Sequence, residues 1–537
     1  MPEPRPPFRS RRRFLQQAAG VGAVAAFAPR PSLAFAPAAS VATTRSGRIA
    51  GYLDRGVHAF RGIPYGSDTS TRRFQRALEE TPWTGLRQAT RFGASAPQRG
   101  DADGHPVSED CLFLNVYTPA LRDGRRRPVL FYIHGGGYNN GSGSHPLYDG
   151  VNLCRRGDVV VVTVNHRLNA FGYLFLGELD GDALAESGNV GQLDLIQALH
   201  WVRQHADEFG GDAGNITVFG QSGGGAKIAT LMAMPEAAGL FHKAMTMSGQ
   251  QVTAAGPRAA TQRAELFLQT LGLSATQTDQ LRTLPMQKLL DATTVRDFSR
   301  AENTGLYFGP VLDSRTLHRH PFHPDAPAQS AGIPMIIGNT RDETRAFLSN
   351  DPSNFTLTWE QLPARIREQQ YVDLSPEVVI AEYRRLYPHY TPTEVFFAAT
   401  TAGRSWRGAV IEAEERAKQG SPAWVYQLDW RSPAEDGRLR AFHTLDIPLV
   451  FDNVAAEGAK TGTDARAHAM AARMSEALIA LARRGDPNHA GIPPWSPYTL
   501  PQRQTMVFDD DSRLQDDPRG GERRLYERVP FIQRGTM

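Results

Sequence analysis

The chain has 537 residues, 41% hydrophobic and 21% charged, enough apolar material to bury a large core and to exclude wholesale disorder. Two cysteines, Cys111 and Cys154, exclude a disulfide scaffold and a cysteine-rich zinc module, and no run of 18 apolar residues offers an ordinary membrane span. The formal charge of +3 arises in residues 1–36, which hold six arginines against Glu3. Residues 37–537 carry 53 basic and 55 acidic side chains, net −2, and so give no electrostatic reason to bind nucleic acid or an anionic membrane.

The first 36 residues read as an address. Ser10-Arg11-Arg12-Arg13-Phe14-Leu15-Gln16 resembles the twin-arginine export signal of bacteria. The mildly apolar run Ala18 to Ala28 follows, too short to cross a bilayer, and Ala34-Phe35-Ala36 offers a small-x-small cleavage site. The expectation is a cleaved signal over 1–36, export by the twin-arginine route to the periplasm or beyond, and one mature domain over 37–537.

Short β-branched runs then alternate with longer helical patterns. Pro128 to Ile133 reads as a buried strand ending in a glycine run, and Asp158 to Thr163 as a second. Leu195, Ala198, Leu199 and Val202 recur at helical spacing before Phe209-Gly210-Gly211 stops the helix. Ile216 to Phe219 is a strand, Gly224 to Met234 a helix, and Pro334 to Ile337 and Ala423 to Gln427 are later strands. This alternation predicts an α/β fold with a large, mostly parallel sheet covered by helices on both faces.

Between the third of these strands and its helix stands Gly220-Gln221-Ser222-Gly223-Gly224, a G-x-S-x-G pentapeptide in the strand–turn–helix context of a nucleophile elbow. Glycine at 220 and 224 removes the clash that so tight a turn would force. The following helix points its N-terminus at the serine and favours developing negative charge there.

Phe209 through Gly224 resembles the serine signature of the type-B carboxylesterases, the family that includes cholinesterases, and Glu109-Asp-Cys-Leu-Phe-Leu-Asn-Val-Tyr-Thr-Pro119 resembles its second signature. Further similarities at Phe60 to Tyr65, Pro82-Trp83, Phe308 to Asp313 and Gly485 to Asn488 spread the resemblance from about residue 42 to about residue 510. It implies the α/β-hydrolase fold and carboxylic ester hydrolysis, nearest to bacterial para-nitrobenzyl-type esterases. His134-Gly135-Gly136-Gly137 resembles the family's oxyanion loop, which makes the backbone N–H groups of Gly136, Gly137 and Gly223 the expected donors to the developing alkoxide. Gly338 to Phe347 resembles the acid loop and assigns Glu343, rather than Asp342, as the acid. Ala441 to Asn453 resembles the histidine loop and assigns His443 as the base, in the chain order Ser, Glu, His. Ser248 and Asp446 stand where supporting roles are expected. The implied mechanism forms an acyl-enzyme on Ser222 and needs neither metal nor organic cofactor.

Three departures narrow the substrate. Ala96 replaces the cysteine that many relatives pair with Cys111, which leaves a Cys111–Cys154 bridge open. Segment 99–108 lacks the tryptophan with which choline-binding relatives hold a cation, and neutral Gln221 stands where glutamate is common. The expectation is a small neutral ester, aryl or short-to-medium alkyl. A non-catalytic binding protein on the same scaffold is an alternative, opposed by the presence of Ser222, Glu343 and His443. An amide, carbamate or polyester hydrolase is another.

Overall fold

The computed structural model describes residues 40–533, apart from 101, 103 and 298–304; the segment expected to be an export signal lies outside them. Eleven strands form one sheet: β1 (Tyr52–Asp54), β2 (Val57–Pro64), β3 (Phe113–Thr118), β4 (Arg127–Ile133), β5 (Val160–Val164), β6 (Gly211–Gln221), β7 (Lys243–Met247), β8 (Met335–Thr340), β9 (Ala423–Leu428), β10 (Gln504–Phe508) and β11 (Arg513–Asp516). Their spatial order is 1-2-3-5-4-6-7-8-9-10-11. Neighbours from β5 to β10 run parallel, and antiparallel strands flank them on each edge. A separate three-stranded sheet joins Val41–Thr43, Arg48–Ala50 and Leu86–Gln88.

The central strands are apolar throughout because both faces are covered. Val129, Phe131 and Ile133 turn with Val160, Val162 and Val164 toward helix α1 (Val190–His205), while Leu130 and Tyr132 turn the other way. Beyond Ser222 runs α2 (Gly223–Leu231). Later come α3 (Pro392–Thr401) and α4 (Arg407–Gln419), joined by a π-helical turn over Ala402–Trp406, and α5 (Ala465–Arg484). α5 packs Met470, Met474, Leu478 and Leu481 against the second face at three- and four-residue spacing. Its ends carry local stop signals: the Asp464 side chain accepts from Ala467 N–H, and Gly485 takes the left-handed conformation just past the last turn.

Each expected strand and helix is present with shifted bounds. β6 is longer than expected, starting at Gly211, because Gly211 pairs with Arg127; Asp212-Ala-Gly-Asn, which reads locally as a turn, bulges out before pairing resumes at Ile216 opposite Val129. α1 ends at His205, and one 3-10 turn follows before Gly210 closes it. Cys111 and Cys154 are both buried free thiols; the Cys154 Sγ lies 3.3 Å from the Tyr117 carbonyl. Glu109 of the second signature makes a two-pronged ion pair with buried Arg73, so that motif holds the fold rather than doing chemistry.

Two reversals of strand order meet at β4 and β6. The chain leaves β4 to one side to make β5, then crosses back to make β6. Crevices at the carboxyl ends of such strands are where open α/β sheets bind ligands. Ile133 of β4 is level with Gly220 of β6, which brings the glycine run after β4 beside the elbow after β6.

Candidate active site

Ser222 occupies that elbow with φ 56° and ψ −125°, a strained conformation for a residue with a side chain. Its N–H donates to the Met247 carbonyl of β7 at 2.8 Å, and its own carbonyl accepts from Ala226, so strand and helix together enforce the turn. Methyl groups added at Gly223 and Gly224 would come within 2.1 Å of the Gly137 oxygen and 1.9 Å of the Ile133 oxygen, so only glycine lets α2 approach the β4 end so closely. Ser222 is half-buried.

The loop after β4 curls under this helix start. Gly136 has φ 82° and a carbon added to it would lie 2.2 Å from the Asn140 oxygen, so the turn requires glycine there. Asn139 and Asn140 both donate to the Gly136 carbonyl. Among the described residues no backbone acceptor takes the N–H groups of Gly136 and Gly137, and Gly223, first in α2, has no intrahelical acceptor. The structure thus brings the three expected donors to the adjoining ends of β4 and β6.

Beneath the loop lies a group that its sequence context does not announce. Lys227, wholly buried on α2, donates from Nζ to the carbonyls of Gly137 at 2.8 Å and His134 at 3.3 Å, over the Tyr138 ring. Burial pulls its amine down to about 7. His134 and His166 stack beside it, centroids 4.8 Å apart. Burial, reinforced by the Lys227 charge, holds His134 down to about 3 and His166 well below the ordinary imidazole range. Both rings are neutral at physiological pH. The only sequence signal for this cluster is a lysine among small and apolar residues in the first turns after the serine.

Glu343 follows β8 and His443 lies in the loop after β9. His443 Nδ1 and Glu343 Oε2 are in direct contact, and the His443 N–H reaches the Glu343 carbonyl at 3.4 Å. The other carboxylate oxygen accepts from Thr340 N–H at 2.8 Å and from the Asn339 amide at 3.3 Å. Burial pushes the Glu343 carboxyl up most strongly. The His443 charge, hydrogen bonding from His443, the Ser248 hydroxyl and the Thr340 N–H together outweigh it, leaving Glu343 below the usual carboxylate range. The buried Ser248 hydroxyl makes no close hydrogen bond but lies near enough to assist.

Asp446 has gone elsewhere: its Oδ2 accepts from Tyr426 O–H at 2.8 Å, and no hydrogen bond joins it to His443. Burial and then the nearby Glu343 charge push it up to about 6. Asp342 likewise stays outside, its carboxylate 3.5 Å from Arg345.

Ser222 and His443 are brought to the same sheet edge without a hydrogen bond between them among the described residues. Instead the Gln221 amide nitrogen lies 3.2 Å from His443 Nε2 and 3.4 Å from Nδ1. Gln221 is read from the sequence as a departure next to the serine; its contact with the imidazole depends on a partner 222 positions away. The Phe347 ring covers the imidazole at 4.9 Å and is itself 43% exposed, so the open side of the site begins there. Among the described residues no group of three or more His, Cys, Asp or Glu is arranged to hold a metal, and no helix is long and apolar enough to cross a membrane.

A mostly parallel, doubly covered sheet, with a serine elbow and a carboxylate–imidazole pair along its carboxyl edge, defines a hydrolase of the α/β-hydrolase fold. The chain belongs to the carboxylesterase family, whose profile matches residues 38–524, and it is a carboxylic ester hydrolase. It is 34% identical over 500 residues to the para-nitrobenzyl esterase of Bacillus subtilis (strain 168), covering 90% of this chain and 97% of that protein. With the phenmedipham hydrolase of Pseudarthrobacter oxydans it shares 32% identity over 491 residues, 88% of this chain and 95% of that one. The crystal structure of carboxylesterase EST55 of Geobacillus stearothermophilus superposes with a TM-score of 0.80 at 38% identity, covering 91% of this chain and all of the other.

Proposed function

We propose that the protein is an exported serine carboxylesterase that hydrolyses small neutral esters through Ser222, His443 and Glu343. The observation that carries this reading is the buried His443–Glu343 pair, set beside a strained serine elbow. Glu343, ionised at working pH, fixes the imidazole with Nδ1 protonated and leaves Nε2 as the base. Nε2 takes the Ser222 proton as Oγ bonds to the acyl carbon. The alkoxide formed is received by the N–H groups of Gly136, Gly137 and Gly223. The carbon–oxygen bond to the alcohol then breaks, the alcohol leaves with the proton from His443, and a water activated by the same imidazole releases the acid.

The serine–imidazole hydrogen bond is expected to form with substrate bound, since catalytic hydrogen bonds commonly tighten only then. With no tryptophan in segment 99–108 and with neutral Gln221, nothing in those two places recommends a choline ester.

The test is a chain-length series of p-nitrophenyl esters, acetate to palmitate, on the protein and on Ser222→Ala. Hydrolysis peaking at short or medium chains and lost with the serine is expected. Folded protein inactive on every member would instead favour a specialised substrate, such as an amide, carbamate or polyester. Export is tested separately: replacing Arg11 and Arg12 by lysine should leave the protein in the cytoplasmic fraction.

A further inference from the structure

The π-helical turn at Ala402–Trp406 sets Arg404 at the rim of the site. Such one-turn insertions into an α-helical run recur at functional positions. The Arg404 guanidinium lies 4.4 Å over the Phe347 ring, and Phe347 is the ring that covers His443, so the cation stands one aromatic ring away from the imidazole. A second ring, Tyr371, lies 5.4 Å from the same cation. The two neighbouring arginines both have acidic company: Arg407 lies 3.9 Å from Glu527, and Arg519 is paired with Glu522. Among the described residues Arg404 makes no hydrogen bond and meets no carboxylate; it is half-buried and held only by rings.

This arrangement has a chemical direction. A guanidinium held by rings and by no carboxylate keeps its N–H groups for a ligand, and these can take a carboxylate with two parallel hydrogen bonds. Contact with Phe347 and Tyr371 restrains the side chain beforehand, so less of its freedom is lost when an anion arrives. Glu343 and Asp446, the carboxylates nearest the imidazole, would repel an incoming carboxylate, and Arg404 offsets that repulsion. We infer that Arg404 is a specificity residue, which extends the substrates of this site beyond neutral esters to esters carrying a carboxylate, such as hemiesters of dicarboxylic acids. The inference rests on the esterase reading of Ser222, His443 and Glu343.

The experiment compares kcat/KM for charged and neutral pairs of matched shape in the wild type, Arg404→Gln and Arg404→Lys. One pair, p-nitrophenyl hydrogen adipate with p-nitrophenyl hexanoate, puts the charge on the acyl side. The other, p-hexanoyloxybenzoate with p-hexanoyloxybenzamide, puts it on the departing alcohol. The charged-to-neutral ratio should fall on the order of tenfold in Arg404→Gln for at least one pair, the value of a partly exposed charge-assisted hydrogen bond. Arg404→Lys should recover part of it, and added salt should lower the wild-type ratio. Identical ratios in wild type and Arg404→Gln for both pairs would overturn the inference, since a purely structural arginine alters both members alike. Ser222-dependent hydrolysis with unchanged ratios overturns this inference alone. Absence of hydrolysis of the neutral esters by the wild type overturns the esterase reading and this inference with it.

Discussion

Gln221→Glu changes the site by one atom and tests the contact on which the imidazole rests. The side chain is 1% exposed and its amide nitrogen lies 3.2 Å and 3.4 Å from the two ring nitrogens of His443. A carboxylate oxygen in that place would attract the imidazolium by about 5 kcal/mol, taking an effective dielectric of roughly 20. That is an upper bound, because Glu343 already claims the same cation and would repel the newcomer. A net effect on the order of 1–2 pH units follows. The sign is fixed: a second carboxylate favours the protonated ring, which cannot accept the Ser222 proton, so more alkaline solution is needed to free the base. The assay is kcat/KM for p-nitrophenyl butyrate from pH 5 to 9 in both proteins. The acidic limb of the variant should lie about 1–2 pH units above that of the wild type, with the two converging at high pH. An acidic limb displaced by less than about 0.3 unit in a folded variant would refute the contact.

Glu343→Gln should lower kcat by roughly four orders of magnitude with the fold intact, because the amide no longer fixes the required tautomer; single-turnover kinetics would show it, and a loss below about tenfold would remove Glu343 from the mechanism. Lys227→Met frees the Gly137 and His134 carbonyls, and turnover should fall about tenfold, more than KM changes. The same lysine links stability to pH. Its folded pKa of about 7 lies below its ordinary value, the unfolded chain binds more protons between the two, and stability therefore rises with pH across that window. Urea unfolding at pH 7 and 8.5 should show the wild type gaining about 1.5 kcal/mol that Lys227→Met does not gain. Asp194→Ala strands wholly buried Arg167, otherwise held at 2.6 Å, and should cost about 3–5 kcal/mol, visible as a lowered Tm.

What the sequence makes legible is what local pattern controls. The strands before Gly135 and before Ser222 are continuous β-branched or aromatic runs, and the elbow glycines are demanded by atoms of the adjoining turn. The proposed acid and base are reachable only through resemblance, since nothing local separates Glu343 from Asp342 or His443 from 14 other histidines. The antiparallel strands β1 to β3 pass unrecognised because β2 bends through a register shift between Phe60 and Ile63, which breaks the alternation that marks a strand. The bridge left open between Cys111 and Cys154 is absent for a spatial reason: Cys111 packs into the core on one sheet face and Cys154 on the other. Gln221 against His443, Lys227 under the glycine loop and Arg404 over Phe347 are all contacts between distant segments, and no window of sequence contains both partners.

The parallel register of β6, β7, β8 and β9 has a consequence for how the enzyme fails. Ser222, Glu343 and His443 hang from the ends of three strands that main-chain pairing locks in step, although 121 and 100 residues of chain separate them. A protease cut in the surface stretch 272–285 severs the peptide between Ser222 and Glu343 without moving either, because the sheet rather than the chain carries the alignment. Nicked enzyme should therefore keep its turnover until the sheet itself melts, and then lose all of it at once. Hydrolysis of a coloured ester becomes a reporter of intact tertiary structure, blind to breaks in the covalent backbone.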